Sequence, residues 1–398
     1  MANKQKILTH PLFAAAILAV NSAFAVDLTF FAVSDVHVGQ HSAAKDTARA
    51  RMPAQLNALP GTAYPNNAGG GTVATPRGVV LPGDLVEFPQ DSLWNQYIAD
   101  YGVNGESKVH FPVYDGLGNH DQPGVSSVIM AHYLARNAAR QYTVNFDSAG
   151  YNYSWDWDGV HFVHLNLYSG GSEKGYFSST GTDGTGGDPL KSRNFLQLDL
   201  ALRVGASGRP VFIMQHYPMT DNTFWTAADK TLLANTLQGY NVVGILNGHS
   251  HAKTFYKWNG YDAYDDGTVM NGDVIVFHIT DNRFLAVNRI GTAWGTLISD
   301  KTISMGTPTR LRPDQQGAKH QGLFTISGMD WTQNIPEGAR SVEISDLRGH
   351  VIRRLSVQDH KVIWDRLSAA GRRVSEGVYL FKITGKERPV FWKVVLNP

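Results

Sequence analysis

The chain has no cysteine. No disulfide can therefore brace it, and no thiolate can hold a metal. Any ion bound here must be held by imidazole, carboxylate and amide groups, which suit Zn, Mn, Fe or Co. Charge of one sign is also missing, since 35 Lys and Arg stand against 34 Asp and Glu. That balance offers no basic track for a nucleic-acid backbone, so no nucleic-acid partner is expected. Past the first 25 residues no apolar run approaches the roughly 20 residues that a membrane-spanning helix needs. Internal repeats and low-complexity tracts are absent as well, which excludes a solenoid or a disordered tail.

What is present points to an exported, folded protein. Lys4 and Lys6 precede an apolar stretch from Pro11 to Val20, and Ala23-Phe24-Ala25 has the small-x-small form cut by signal peptidase. Cleavage is expected after Ala25, with a periplasmic, cell-surface or extracellular destination. The 398 residues suggest two domains, and 42% apolar content is enough to bury a core without cross-links. Helical patterns are read over Thr47–Leu59, Asp91–Tyr101, Val125–Arg140, Leu190–Arg203 and Ala227–Leu237. Strand-like runs lie between them, and successive strands are read over Tyr142–Tyr168 and Asp273–Ser299. Sheets covered by helices follow, in an α/β or α+β layered body.

Two stretches break this rhythm. Gly61–Pro76 is read as surface, and Ser169–Pro189, rich in Gly, Ser, Thr and Asp, as a rim facing the substrate. Thr307–Gly317 reads as a linker. Six short runs then follow, Leu323–Ile326, Ser341–Ile344, Val351–Leu355, Lys361–Trp364, Gly377–Ile383 and Val390–Leu396, which suit a small β-sandwich over residues 318–398.

Five polar signatures recur in a fixed order: Asp35-Val36-His37, Gly83-Asp84, Gly118-Asn119-His120-Asp121, His216 and Gly248-His249-Ser250-His251. Each follows an apolar strand-like run, namely Leu28–Val33, Gly78–Leu81, Phe111–Tyr114, Val211–Met214 and Val242–Leu246. That placement predicts loops along one sheet edge. Taken singly, Asp-x-His or a lone His caps a turn or fills a core, and only Gly-Asn-His-Asp is sharp. Co-occurrence in order, each after a strand, gives them a joint meaning: enough oxygen and nitrogen ligands for two neighbouring metal ions.

In these residues the chain resembles the calcineurin-like metallophosphoesterase superfamily, over roughly Val26 to Ile290. The resemblance implies two mixed sheets packed face to face with helices outside, a four-layer sandwich within residues 26–306. It implies that Asp35, His37 and His251 hold a first divalent ion and Asn119, His216 and His249 a second. Asp84 would bridge both, and the ions would be Zn, Mn or Fe. A carboxylate bridge holds two dications roughly 3.5 to 4 Å apart, where a shared water is strongly acidified. By the same resemblance His120 faces the phosphate and Asp121 orients its ring. Purple acid phosphatases resemble this plan but carry Tyr three residues after the bridging Asp. Here that position is Glu87, so an iron-tyrosinate centre is not expected.

Other residues are read as structural. His161 and His164, three apart on a strand, point to opposite faces and cannot chelate together. Tyr151, Tyr153, Trp155 and Trp157 form one buried sheet face, and His41 is an exposed loop residue. Trp364-Asp365, Ala369-Ala370-Gly371-Arg372-Arg373-Val374 and Gly377-Val378-Tyr379-Leu380-Phe381 resemble the immunoglobulin-like tails of FlgD-type and type IX secretion proteins. That resemblance implies contact with secretion machinery or the cell surface, or a passive spacer. The expected function is hydrolysis of a small phosphorylated substrate, a monoester before a diester. The rival from another class is a surface binding protein on a hydrolase-like scaffold.

Overall fold

The computed structural model describes residues 26–306, except 41, 123–127, 142–143, 148, 171–189 and 206. Beyond them it describes 323–326, 331–334, 338–346, 351–358, 361–375, 377–385 and 390–396. The export segment, the linker, His41 and nearly all of the Gly-rich rim fall outside the described residues.

The chain begins with three parallel strands, β1 (Asp27–Ala32), β2 (Val79–Leu81) and β3 (Val113–Asp115), connected through helices α1 (Ala43–Asn57) and α2 (Asp91–Asp100). After α3 (Val128–Ala138) it builds a second sheet from β4 (Asn145–Phe146), β5 (Tyr153–Trp157), β6 (Val160–His164), β7 (Pro210–Met214) and β8 (Asn241–Asn247). Helices α4 (Ser192–Asp199) and α5 (Ala227–Leu237) lie between the last three of these. Thr226 opens α5 with a reciprocal capping box to Asp229, which satisfies two otherwise orphaned backbone donors. The antiparallel hairpin β9 (Lys253–Trp258) and β10 (Tyr261–Asp266) completes this sheet, in the order β4-β5-β6-β7-β8-β10-β9. The chain then returns to the first sheet with β11 (Asp273–Thr280), β12 (Arg283–Ile290) and β13 (Ala293–Thr302), and β11 pairs with β1 to give β13-β12-β11-β1-β2-β3.

Side-chain alternation sets the layers. On β7, Phe212 and Met214 join the core between the sheets, while Val211 and Ile213 face the α4 and α5 side with Leu196, Leu233 and Leu237. Helices α1, α2 and α3 bring Leu56, Trp94 and Ile129 to the core that contains the first sheet. Between the sheets, Phe30 meets Phe162 and Phe212 edge-on at 5.2 Å, and Tyr114 stacks on Trp155 at 4.2 Å. Each such pair contributes about 0.5 to 1.5 kcal/mol beyond its buried area. The aromatic run on β5 is therefore core and not a stacking platform, with Tyr153, Trp155 and Trp157 all buried.

The two histidines of β6 diverge as their spacing predicts. His161 is paired with Asp199 of α4, and His164 reaches the Leu81 carbonyl in the other sheet at 2.8 Å. Gly61–Pro76 packs as surface, where Trp294 donates to the Ala63 carbonyl and Arg283 to that of Ala68.

The C-terminal strands are separate and all β. Strands β14 (Leu323–Ile326), β15 (Trp331–Asn334), β16 (Ala339–Ser345), β17 (Val351–Ser356), β18 (Lys361–Trp364), β19 (Gly377–Gly385) and β20 (Val390–Leu396) form two sheets. One is five-stranded, β14-β20-β19-β16-β17, and the other pairs β15 with β18. An apolar cluster of their own, including Val342, Trp364, Phe381 and Trp392, draws on both sheets.

Candidate metal centre

The polar signatures sit at the carboxyl ends of five parallel strands: β1, β2 and β3 of the first sheet, β7 and β8 of the second. The expectation of one sheet edge is thus corrected, because two sheets packed face to face bring the carboxyl ends of their strands together here and each contributes. The local backbone is unusual. Asp35, His37, Asp84, His249 and His251 all have positive φ, between 44° and 69°. Non-glycine residues rarely hold that conformation, and each costs on the order of 1 to 3 kcal/mol, so surrounding structure must enforce it.

Glycines make the remaining room. A Cβ on Gly83 would stand 2.6 Å from His216 Nδ1, one on Gly248 2.8 Å from Asp35 Oδ2, and one on Gly118 would collide with the Asp84 carboxylate. The glycine of each motif thus clears space for a polar side chain from another motif.

The side chains converge in three overlapping groups: Asp35, His37 and His251; His37, Asp84 and His120; Asp84, His216 and His249. His37 Nε2 and His251 Nε2 face each other at 3.0 Å, with Asp35 Oδ1 3.3 Å from His251. Asn119 Oδ1 lies 3.0 Å from both His216 Nε2 and His249 Nδ1. Asp84 Oδ2 stands between the halves, 3.4 Å from His37 Nε2 and 3.2 Å from His216 Nε2. Two ring nitrogens opposed at 3.0 Å need a proton or a cation between them, so this donor set fits divalent ions.

Charge balance agrees. Burial opposes ionisation of Asp35, yet His251, His37 and His216 outweigh it and hold the carboxyl well below its usual range. Burial likewise opposes charge on Asp84, and His216 and His37 overcome it. His37 is raised to about 10 against burial by Asp35 and Glu87, and His216 is raised against burial by Asp84. His249 goes the other way, down to about 4, through burial and the neighbouring His216, which keeps a lone pair available. The buried carboxylates are thus balanced by ring protons, charge that bound cations would supply instead.

Asp121 requires a correction. It does not orient the His120 ring: its carboxylate accepts the backbone N–H groups of Leu85, Val86 and Gly118 at 2.8 to 3.1 Å. Burial, with Asp84 nearby, pushes Asp121 up to about 7. It ties the Asp84 loop to the Asn119 loop. The His120 ring is held instead by Glu87, whose carbonyl lies 3.0 Å from Nδ1.

Two further acids take roles that the sequence did not suggest. Glu87 Oε2 lies 2.8 Å from His37 Nδ1, and Asp221 Oδ2 lies 3.4 Å from His249 Nε2, each on the ring nitrogen turned away from the centre. Such carboxylates orient ligand imidazoles. The signal for Glu87 was its position, three residues after Asp84.

Residues 28–253 match the family model described as calcineurin-like phosphoesterase, more than half of the chain. Among solved structures the chain is similar to GAP50, the anchor in the inner membrane complex of Plasmodium, at 11% identity and a TM-score of 0.45 over 71% of this chain and 90% of that one. It is also similar to a phosphopantetheinyl hydrolase from Mycobacterium tuberculosis, at 14% identity and a TM-score of 0.36 over 61% and 90%. A further similarity is to the calcineurin-like phosphoesterase YfkN from Bacillus subtilis, at 12% and 0.32 over 71% and 91%. No curated protein matches the chain.

Proposed function

The chain belongs to the calcineurin-like phosphoesterase family and is a metal-dependent phosphoesterase, and from that premise we propose that it is an exported hydrolase of small phosphoric monoesters with two divalent transition-metal ions. Asp35, His37 and His251 would hold one ion, Asn119, His216 and His249 the other, and Asp84 both. The single observation that carries this reading is the place of Asp84 Oδ2, within 3.4 Å of a ring nitrogen from each half of the centre. When bound, the ions would acidify an attacking water and neutralise phosphate charge.

The chain's own groups do the rest. Asn119 adds a neutral oxygen where another carboxylate would over-neutralise the pair. His120 donates Nδ1–H to the Glu87 carbonyl, which fixes the ring and turns Nε2 to other partners. As an imidazolium it can pass its Nε2 proton to the departing alkoxide and return to the neutral ring while Nδ1–H stays in place. Its partial exposure gives substrate access, whereas Asp84 and His216 are closed to solvent.

Asp84→Ala tests the reading. Each half of the centre loses its shared anion, so hydrolysis of p-nitrophenyl phosphate is expected to vanish and the bound metal to fall from close to two equivalents. A variant with undiminished metal and turnover would refute the bridge. Turnover of the bis ester beside the monoester tests substrate class, and faster diester cleavage would move the assignment to phosphodiesterase. The apolar start of the chain and its cleavage motif support export. Among the described residues no helix is long and apolar enough to cross a membrane.

A further inference from the structure

Behind Asp35, away from the ring nitrogens, lies a buried acid that the reaction above does not use. Asp266 ends β10, beyond the residues that match the family model, and its side chain is wholly buried. Ser34 Oγ lies 2.5 Å from Asp35 Oδ2, 3.2 Å from the Gly267 carbonyl, and in close contact with Asp266 Oδ1. The same turn grips the backbone: Thr268 Oγ1 donates to the Asp35 carbonyl at 2.8 Å, and Val269 N to that of Ser34 at 3.1 Å. Asp35, at a φ of 51°, needs such a grip to stay in the left-handed region.

We propose that Asp266, acting through Ser34, is a positioning residue that holds the Asp35 carboxylate with Oδ2 turned inward and Oδ1 turned to His37 and His251. The inference rests on the reading of Asp35 as a metal ligand.

Hydrogen counting gives the arrangement its direction. A serine hydroxyl has one hydrogen, and here it meets three oxygens. Asp35 must be ionised to bind a cation, so the serine hydrogen goes to Asp35 Oδ2. The contact with Asp266 Oδ1 is then filled from the other side, by an Asp266 carboxylic acid donating to Ser34 Oγ. Asp266 Oδ2 meets no hydrogen-bond partner among the described residues, and an ionised oxygen so placed would be costly. Burial together with Asp35 and Asp265 raises Asp266 well above the usual range, in keeping with this count. The result is a one-way chain of donors, acid to hydroxyl to ligand, in which the amide of Asn could replace the acid.

The test is calorimetric titration of Mn2+ into metal-free protein lacking residues 1–25, with the melting temperature of the metal-free form recorded for each variant. Ser34→Ala and Asp266→Ala are expected to weaken one of the two ions by about tenfold to a hundredfold and to spare the other. Asp266→Asn, which keeps a donor towards Ser34, is expected to bind both as the parent does. Ser34→Ala binding both ions as the parent does would overturn the proposal, as would Asp266→Asn weakening the same ion as Ser34→Ala. Ser34→Ala and Asp266→Asn decide the matter even should Asp266→Ala fail to fold. Asp35→Ala separates the two levels: if it costs no ion, the ligand assignment itself fails, and if it costs one while Ser34→Ala costs nothing, only the positioning role fails.

Discussion

His120 and Gly118 stand two residues apart on one loop and are expected to fail in opposite ways. His120→Ala removes the group proposed to meet substrate but leaves the seven proposed metal ligands in place. Bound metal should persist while kcat falls by about 10²- to 10⁴-fold, measured by elemental analysis beside turnover. Gly118→Ala drives a methyl into the Asp84 carboxylate. Metal content should fall together with activity, and overpacking should cost about 1 to 3 kcal/mol of stability, read from chemical denaturation. A Gly118→Ala protein with full metal would show that the Asp84 loop yields where the structure is tight. The side chains that converge at the candidate centre were legible in sequence, because Gly-Asn-His-Asp and Gly-His-x-His are dense in chemistry. Asp221, Asp266 and the contact of Glu87 with His37 were not legible: each depends on a residue distant in sequence, and single acids carry no local pattern.

At the scale of elements, helix α4 is docked to β6 by charge as well as by apolar contact. His161, fully buried, places Nδ1 2.7 Å from Asp156 and Nε2 2.5 Å from Asp199. Burial alone would lower its pKa, but Asp199 and Asp156 raise it. Such a group stabilises the folded state fully below its unfolded value of about 6.5, and the contribution is lost as pH rises through the raised folded value. The melting-temperature gap between parent and His161→Gln should therefore be widest in mild acid and narrow on the alkaline side. A gap that grows with pH would contradict this.

Some elements were readable from the chain to the residue: α5 occupies Ala227–Leu237 as the pattern predicts, and the short β14 occupies Leu323–Ile326. The β9–β10 hairpin was missed although it carries a strong short-range signal. Asn259-Gly260 forms a two-residue loop with φ of 48° and 86°, between paired Trp258 and Tyr261. Its second strand, Tyr-Asp-Ala-Tyr-Asp-Asp, reads as polar, yet all three of its aspartates are buried, Asp262 against Lys257 and Lys301, and Asp265 and Asp266 against Ser250 and Ser34 beside the candidate centre. Function there overrides the apolar alternation on which strand recognition depends.

For the whole molecule, the three core clusters, two among residues 26–305 and one among residues 339–396, predict two separable bodies. Removing residues 318–398, whose apolar cluster is their own, should leave hydrolysis of p-nitrophenyl phosphate unchanged. A folded but inactive truncation would contradict the proposed division. Cations held from both sheets should add stability as well as chemistry. At a free concentration 100 times the dissociation constant the gain is about 2.7 kcal/mol, so a chelator should lower the melting temperature.

Strand β1, which leads into Asp35 and His37, finds its antiparallel neighbour only in β11, where Asp27 lies opposite Thr280. The first residues of the candidate centre to emerge in synthesis thus wait for almost the last strand of the body before their sheet can close. Such long-range closure slows folding. For the export proposed above, that delay would be an asset: a chain still open could be threaded across a membrane, and its pocket would be sealed only on the far side.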